Sequence, residues 1–175
     1  MKRVILLLAV VSLIAVPSFA KKEAGDVSKP TDLDFEIIDI SEPNITFTWL
    51  PGDDAKPAEK YSLDICGMVL VDGLMVDVPV EDIEVEWCVS FGTSDYNPDN
   101  MSAPTIAIPL EDLHLAIFEA IEEASSNAGI TQINDVELAE MYAKVKGLDP
   151  SDKNPKKRQN NLFSDPLDLM PHPVL

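Results

Sequence analysis

The two cysteines are the residues of this chain whose chemistry depends most on where they lie. Cys66 and Cys88 occupy segments of alternating apolar and polar residues, on the strand face opposite the apolar side chains. An even number of cysteines allows one disulfide in an oxidising compartment. If the two strands are neighbours, a bridge closing about 23 residues stabilises the fold by roughly 3 kcal/mol in the chain-entropy model. If they are not neighbours, both residues are free thiols, and the pattern leaves both hypotheses open.

Enzymatic chemistry has little support in the sequence. The two histidines are His114, beside an apolar helical stripe, and His172, near the end of the chain. No Cys/His set has zinc-ligand spacing, and neither a Gly-x-Ser-x-Gly elbow nor a glycine-rich phosphate loop is present. We therefore predict a non-enzymatic protein that needs no cofactor. A hydrolase that uses two carboxylates is the alternative, because a glycosidase requires only a suitably spaced pair of acids.

Acidic loops are the candidates for metal binding. Asp53 and Asp54 follow Gly52, and a second acidic loop runs over residues 95–99. Such carboxylates could bind calcium weakly, but neither loop has EF-hand spacing. We interpret these acids as solvated loop residues and predict no metal site.

The charge of the chain limits its partners. It carries 31 acidic and 13 basic residues, a formal net charge of −18. Such a charge repels nucleic acid and anionic lipid and favours cationic partners. One basic cluster stands out against this background, and it consists of Lys153, Lys156, Lys157 and Arg158. It is either a contact for an acidic partner or for an acidic face of this same protein, or an exposed solubilising loop.

The first twenty residues have the pattern of a secretory signal peptide. Met1-Lys2-Arg3 precedes an apolar run of 13 residues, Val4–Val16, and small residues stand at Ser18 and Ala20. The run is too short to span a bilayer, which needs roughly 20 apolar residues. We predict cleavage after Ala20, no membrane insertion of the mature chain, and a secreted, periplasmic or cell-surface location. The mature chain keeps 11 basic and 31 acidic residues, so its formal charge is 11 − 31 = −20.

Short strands dominate the predicted elements. Residues 21–29 lack an apolar period and predict a flexible lead, and residues 170–175 predict a proline-stiffened tail. Between them, period-2 alternation predicts several strands, with a hairpin turn at Asp72-Gly73 and a loop from Gly92 to Ala103. Apolar residues at helical spacing predict one amphipathic helix over about 110–128, ended by Gly129. A short helical turn near Asp135–Glu140 is a further hypothesis.

Several of these segments resemble, in type and order, a fibronectin type III domain. The matching blocks are Pro30 before the first strand, Ile45–Trp49, Lys60–Ile65, Tyr142–Pro150 and Phe163–Pro166. The resemblance implies a mostly β, immunoglobulin-like sandwich over residues 30–169 with the helix as an insertion, and other immunoglobulin-like sandwiches remain an alternative. It also implies three core anchors, which are Trp49, Tyr61 and Tyr142. In this family, the hairpin loop that contains the basic cluster often carries partner contacts.

The sequence therefore predicts an exported, non-enzymatic binding or adhesion module of fibronectin type III type. Its partner would be a protein or a glycan that the sequence does not identify. The alternative is a structural or accessory subunit of a cell-surface assembly, docked through the tail or an edge strand.

Overall fold

The computed structural model describes residues 27–38, 43–53, 57–58, 60–95, 102–148 and 163–170. The predicted signal peptide, residues 21–26 of the lead, the basic cluster and residues 171–175 of the tail lie outside these ranges. The elements in chain order are β1 (Thr31–Ile38), β2 (Asn44–Leu50), β3 (Lys60–Met75), β4 (Val78–Asp95), β5 (Thr105–Pro109), α1 (Leu110–Asn127), β6 (Gln132–Leu148) and β7 (Leu167–Asp168). The chain is mostly β, as predicted.

The strands form two antiparallel sheets. One sheet has the order β1-β2-β5 and the other β4-β3-β6-β7. Alternating side chains of both sheets bury one continuous apolar core. Trp49 of β2 and Tyr61 of β3 are both fully buried, and their rings meet edge to face with centroids 5.4 Å apart. This two-layer arrangement is consistent with the predicted β-sandwich.

The helix α1 follows β5 directly and packs against β4. Its acidic first turn, Glu111 and Asp112, suits the positive end of the helix dipole. Leu113 and Ile121 bury the apolar stripe that the sequence predicts. The helix ends before Gly129, whose φ of +88° is the left-handed conformation that glycine adopts most easily. The predicted single amphipathic helix is therefore confirmed, with an end at Asn127.

The predicted hairpin turn at Asp72-Gly73 is wrong. β3 continues to Met75, and the chain turns at Val76 and Asp77, whose φ angles are +50° and +66°. Two positive φ angles in a two-residue loop match the right-handed twist of the flanking strands.

Gly73 has another role, because an added Cβ there would lie 3.0 Å from Ile130 Cγ2 and against the Gln132 carbonyl oxygen. Its small size allows β6 to approach β3.

Two neighbouring predictions also fail in favour of longer strands. Residues 135–140 form no helical turn and belong to β6, where Asp135 pairs with Asp72 and Leu138 with Val69. Residues 92–95, which the sequence predicts as the start of a loop, belong to β4. In both places pairing with β3 overrides an ambiguous local pattern.

The prediction of a flexible lead is wrong for residues 27–29, which belong to the fold. Val27 is 9% exposed and Ser28 is fully buried. The Ser28 hydroxyl donates a hydrogen bond of 2.6 Å to the carbonyl oxygen of Pro51. Lys29 forms an ion pair of 2.7 Å with Asp165. These contacts make residues 27–29 part of the fold. The sequence does not predict this, because one buried hydroxyl and one small apolar side chain give no periodic signal.

Candidate binding grooves

The two cysteines lie on the outer face of the four-stranded sheet. Cys66 of β3 and Cys88 of β4 are direct partners in the strand register, and they form a disulfide. Cys66 is 5% exposed, whereas Cys88 is exposed. Of the two hypotheses that the sequence leaves open, the structure has the bridge, because β3 and β4 are neighbouring strands of one hairpin.

A shallow groove of about 340 Å³ lies beside this bridge, and we call it the disulfide groove. Met68 of β3 pairs with Glu86 on one side and with Glu140 on the other. Because neighbouring strands lie about 4.8 Å apart, the Cα atoms of these two acids are separated by roughly 10 Å. Within the described residues, no group of three or more His, Cys, Asp or Glu side chains is placed to hold a metal ion. The disulfide groove is therefore flanked by two separate exposed acids, Glu86 and Glu140.

Tyr142 lies on this outer face, so its prediction as a core anchor is wrong. β6 alternates so that Met141 and Ala143 point into the core, with exposures of 3% and 0%. Tyr142 is half-buried on the opposite face, and the Lys144 ammonium lies 5.1 Å from the centre of its ring. The same ammonium lies 5.2 Å from the ring of Phe163. Both rings therefore form cation–π contacts with a lysine of the same chain.

A larger groove of about 650 Å³ lies between α1 and the first half of β6, and we call it the helix groove. Its apolar surface comes from five side chains, which are Phe118, Ile121, Ile130, Ile133 and Val136. Ile121 and Ile130 are buried, whereas Phe118 is 58% and Val136 39% exposed. An apolar groove that leaves a large aromatic side chain mostly exposed is a candidate binding surface.

The β6 edge beside this groove is open. Residues Gln132–Glu140 pair with β3 on one side, except Asn134 and Ala139, at which the register shifts. On the other side β7 pairs with Tyr142 and Ala143, so among the described residues no strand covers the edge from Gln132 to Glu140. The Val136 N–H donates a hydrogen bond of 2.9 Å to Asp135 Oδ1. Backbone N–H and C=O groups along an uncovered edge can bind a further strand.

The surroundings of the helix groove are strongly acidic. Residues 61–143 contain 17 Asp and Glu side chains and no Lys or Arg. Glu122 lines the groove, and Asp135 and Glu137 are exposed on β6. This uneven distribution of charge is visible in the sequence, where it indicates a surface that attracts cations. It does not show where on the fold the groove lies.

The remaining predicted site residues are dispersed. His114 is exposed on α1, and Asp53 is exposed in the loop after β2. Lys153, Lys156, Lys157, Arg158 and His172 lie outside the described residues, as do Asp54 and Asp99. Trp49 and Tyr61 lie in the core, as the resemblance implies.

Comparisons of the chain with protein families, with curated proteins and with solved structures found no match. No helix in the described ranges is long and apolar enough to cross a membrane. The functional assignment therefore depends on the residues and the grooves described above.

Proposed function

We propose that the protein is an exported, non-enzymatic binding module with a fibronectin type III-like sandwich, and that its partner docks in the helix groove. The observation that carries this proposal is the exposed apolar surface of Phe118 and Val136, placed beside an unpaired strand edge. Apolar grooves and uncovered strand edges are both features through which proteins bind partners.

The strand order supports the fibronectin type III-like part of the proposal. In immunoglobulin-type sandwiches the first, second and fifth strands, A, B and E, share one sheet, and strands C, F and G share the other, with C′ added beside C in some members. The sheets β1-β2-β5 and β4-β3-β6-β7 have this arrangement when β4 is read as C′. The helix then stands in the connection between strands E and F.

The predicted signal peptide supports export. The Cys66–Cys88 disulfide is compatible with an oxidising compartment, where such bonds persist. Binding is the function that the exposed apolar surface of the helix groove supports, and the described residues gather no set of three or more metal ligands.

The test is partner capture by the protein purified from the exported fraction of its source. The wild-type protein and two variants, Phe118→Glu and Leu50→Glu, serve as baits for the same extracytoplasmic extract. Leu50 is 49% exposed at the end of β2, in the other sheet. Leu50→Glu therefore introduces the same negative charge as Phe118→Glu, also in place of an exposed apolar side chain, but away from the helix groove. We expect one partner that the wild type and Leu50→Glu retain and that Phe118→Glu loses.

Thermal melting of all three proteins checks that the variants fold. Equal retention of the partner by Phe118→Glu and the wild type would contradict docking in the helix groove. The alternative function, a subunit of a surface assembly, is favoured by the open β6 edge, and sedimentation distinguishes it. A stable monomer disfavours assembly from copies of this chain.

A further inference from the structure

The open edge and the helix groove belong to one surface. Val136 pairs with the buried Val71, and residues directly opposite each other in an antiparallel pair project from the same face of the sheet. The Val136 side chain therefore lies on the inner face, where it lines the groove together with Ile133. Along Asp135–Leu138, where the register is regular, a strand added beside β6 would place every second side chain on this inner face, next to Val136.

The edge offers a short extended peptide a place to pair. It spans Gln132–Glu140, and register shifts at Asn134 and Ala139 leave Asp135–Leu138 as its regular central part. Main-chain hydrogen bonds along such an edge supply affinity, and pockets for alternate side chains supply specificity. The exposed Phe118 ring is the natural anchor for an apolar side chain of the added strand.

The charge around the surface selects among occupants. Asp135 and Glu137 stand on the edge strand, Glu122 lines the groove, and no Lys or Arg occurs from residue 61 to residue 143. A second copy that paired its β6 against this edge would bring these acids together, which like-charge repulsion opposes. A segment with lysine or arginine at its solvent-facing positions has the complementary charge.

We infer that the helix groove and the Gln132–Glu140 edge bind an extended, lysine- or arginine-rich segment of a partner protein, which adds to the sheet as a strand next to β6. Its apolar residues alternate with its basic residues and fill the groove beneath Phe118. This inference rests on the proposed function and names the chemical class of the partner.

The experiment uses the protein from the exported fraction and a synthetic peptide of alternating lysine and valine, blocked at both ends and as long as the open edge. Isothermal titration calorimetry measures its binding to the wild type, to Phe118→Glu and to Leu50→Glu. We expect Phe118→Glu to weaken binding roughly tenfold or more and Leu50→Glu to change it less than about threefold. We also expect the affinity to fall as sodium chloride is raised, because salt screens the attraction.

Two further peptides isolate the two parts of the inference. Replacing every lysine by glutamate should abolish binding, because the acidic edge repels it. Methylating the backbone nitrogens of alternate residues should also abolish binding, because the strand then loses its donors. Equal binding by the glutamate peptide overturns the charge assignment, and equal binding by the methylated peptide overturns the added strand.

Failure of this inference is distinguishable from failure of the proposed function. If the lysine–valine peptide does not bind but partner capture still depends on Phe118, the occupant is wrong and the groove remains the docking site. If sedimentation shows a wild-type dimer that Phe118→Glu dissociates, the occupant is a second copy, which also overturns the inference.

Discussion

Gly67 is a residue at which the four-stranded sheet packs tightly. It lies on β3 between Trp87 of β4 and Met141 of β6. A Cβ atom added here would lie 2.8 Å from the Trp87 ring and still closer to the carbonyl oxygen of Glu140. Neither neighbour can move freely, because one is backbone and the other is a large buried ring.

We predict that Gly67→Ala lowers the free energy of unfolding by about 1–3 kcal/mol, the usual cost of overpacking. The matched control is Gly92→Ala on β4, because nothing lies within 4 Å of the Cβ that would be added there. Urea denaturation monitored by tryptophan fluorescence measures both variants. Equal stability of Gly67→Ala and the wild type would show that the strands separate here at little cost.

Two of the three aromatic residues predicted as core anchors lie in the core, and the third does not. The placement of Trp49 and Tyr61 in the core follows from the alternation of their strands together with the family resemblance. The same resemblance misplaces Tyr142, because alternation fixes that neighbours face opposite ways but not which of them faces inward. In β6 the side chain of Met141 points inward. Its register partner is Gly67, and the small size of this glycine leaves room for the methionine side chain.

At the scale of the element, α1 was predictable and the first half of β6 was not. The helix has 18 residues with apolar side chains at helical spacing, so its signal accumulates over several turns. The stretch Gln132–Glu140 is largely exposed, and its acids leave no clear period. Its strand conformation depends on pairing with β3, which lies some sixty residues earlier in the chain. The helix groove was unpredictable for the same reason.

The helix carries one polar group that weakens its packing. Ser125 is fully buried, and its hydroxyl has no hydrogen-bond partner among the described residues. An unpaired buried hydroxyl costs roughly 1–3 kcal/mol, and alanine is also the better helix former.

We therefore expect Ser125→Ala to raise the free energy of unfolding by about 1 kcal/mol, as measured by urea denaturation. Ser126→Ala, at an exposed neighbouring position, is the control and should change stability by less than about half as much. A loss of stability in Ser125→Ala would mean that the hydroxyl has a partner after all.

At the scale of the whole molecule, charge is distributed unevenly. The described lysines are Lys29, Lys60, Lys144 and Lys146, all outside the acidic stretch 61–143. The hairpin of β3 and β4, the helix and the first half of β6 therefore repel one another with little internal compensation.

Added salt should consequently stabilise the fold. We predict that Tm rises by a few degrees between low ionic strength and 0.5 M sodium chloride, where the Debye length falls to roughly 4 Å. Potassium chloride at the same concentration should act equally, since screening does not depend on which monovalent cation is present. A Tm that falls or stays constant would contradict the repulsion.

The bond between Cys66 and Cys88 also determines how the chain would respond to tension. The bond closes residues 67–87 into a covalent loop. A force applied at the two chain ends is transmitted through the bond between the two sulfur atoms, so residues 67–87 carry none of it. Unravelling the domain would therefore release about 70 Å less chain than its length allows, at roughly 3.4 Å for each bypassed residue. While the bond is intact, tension cannot extend residues 67–87, and reduction of the bond would lengthen the fully extended chain by this amount.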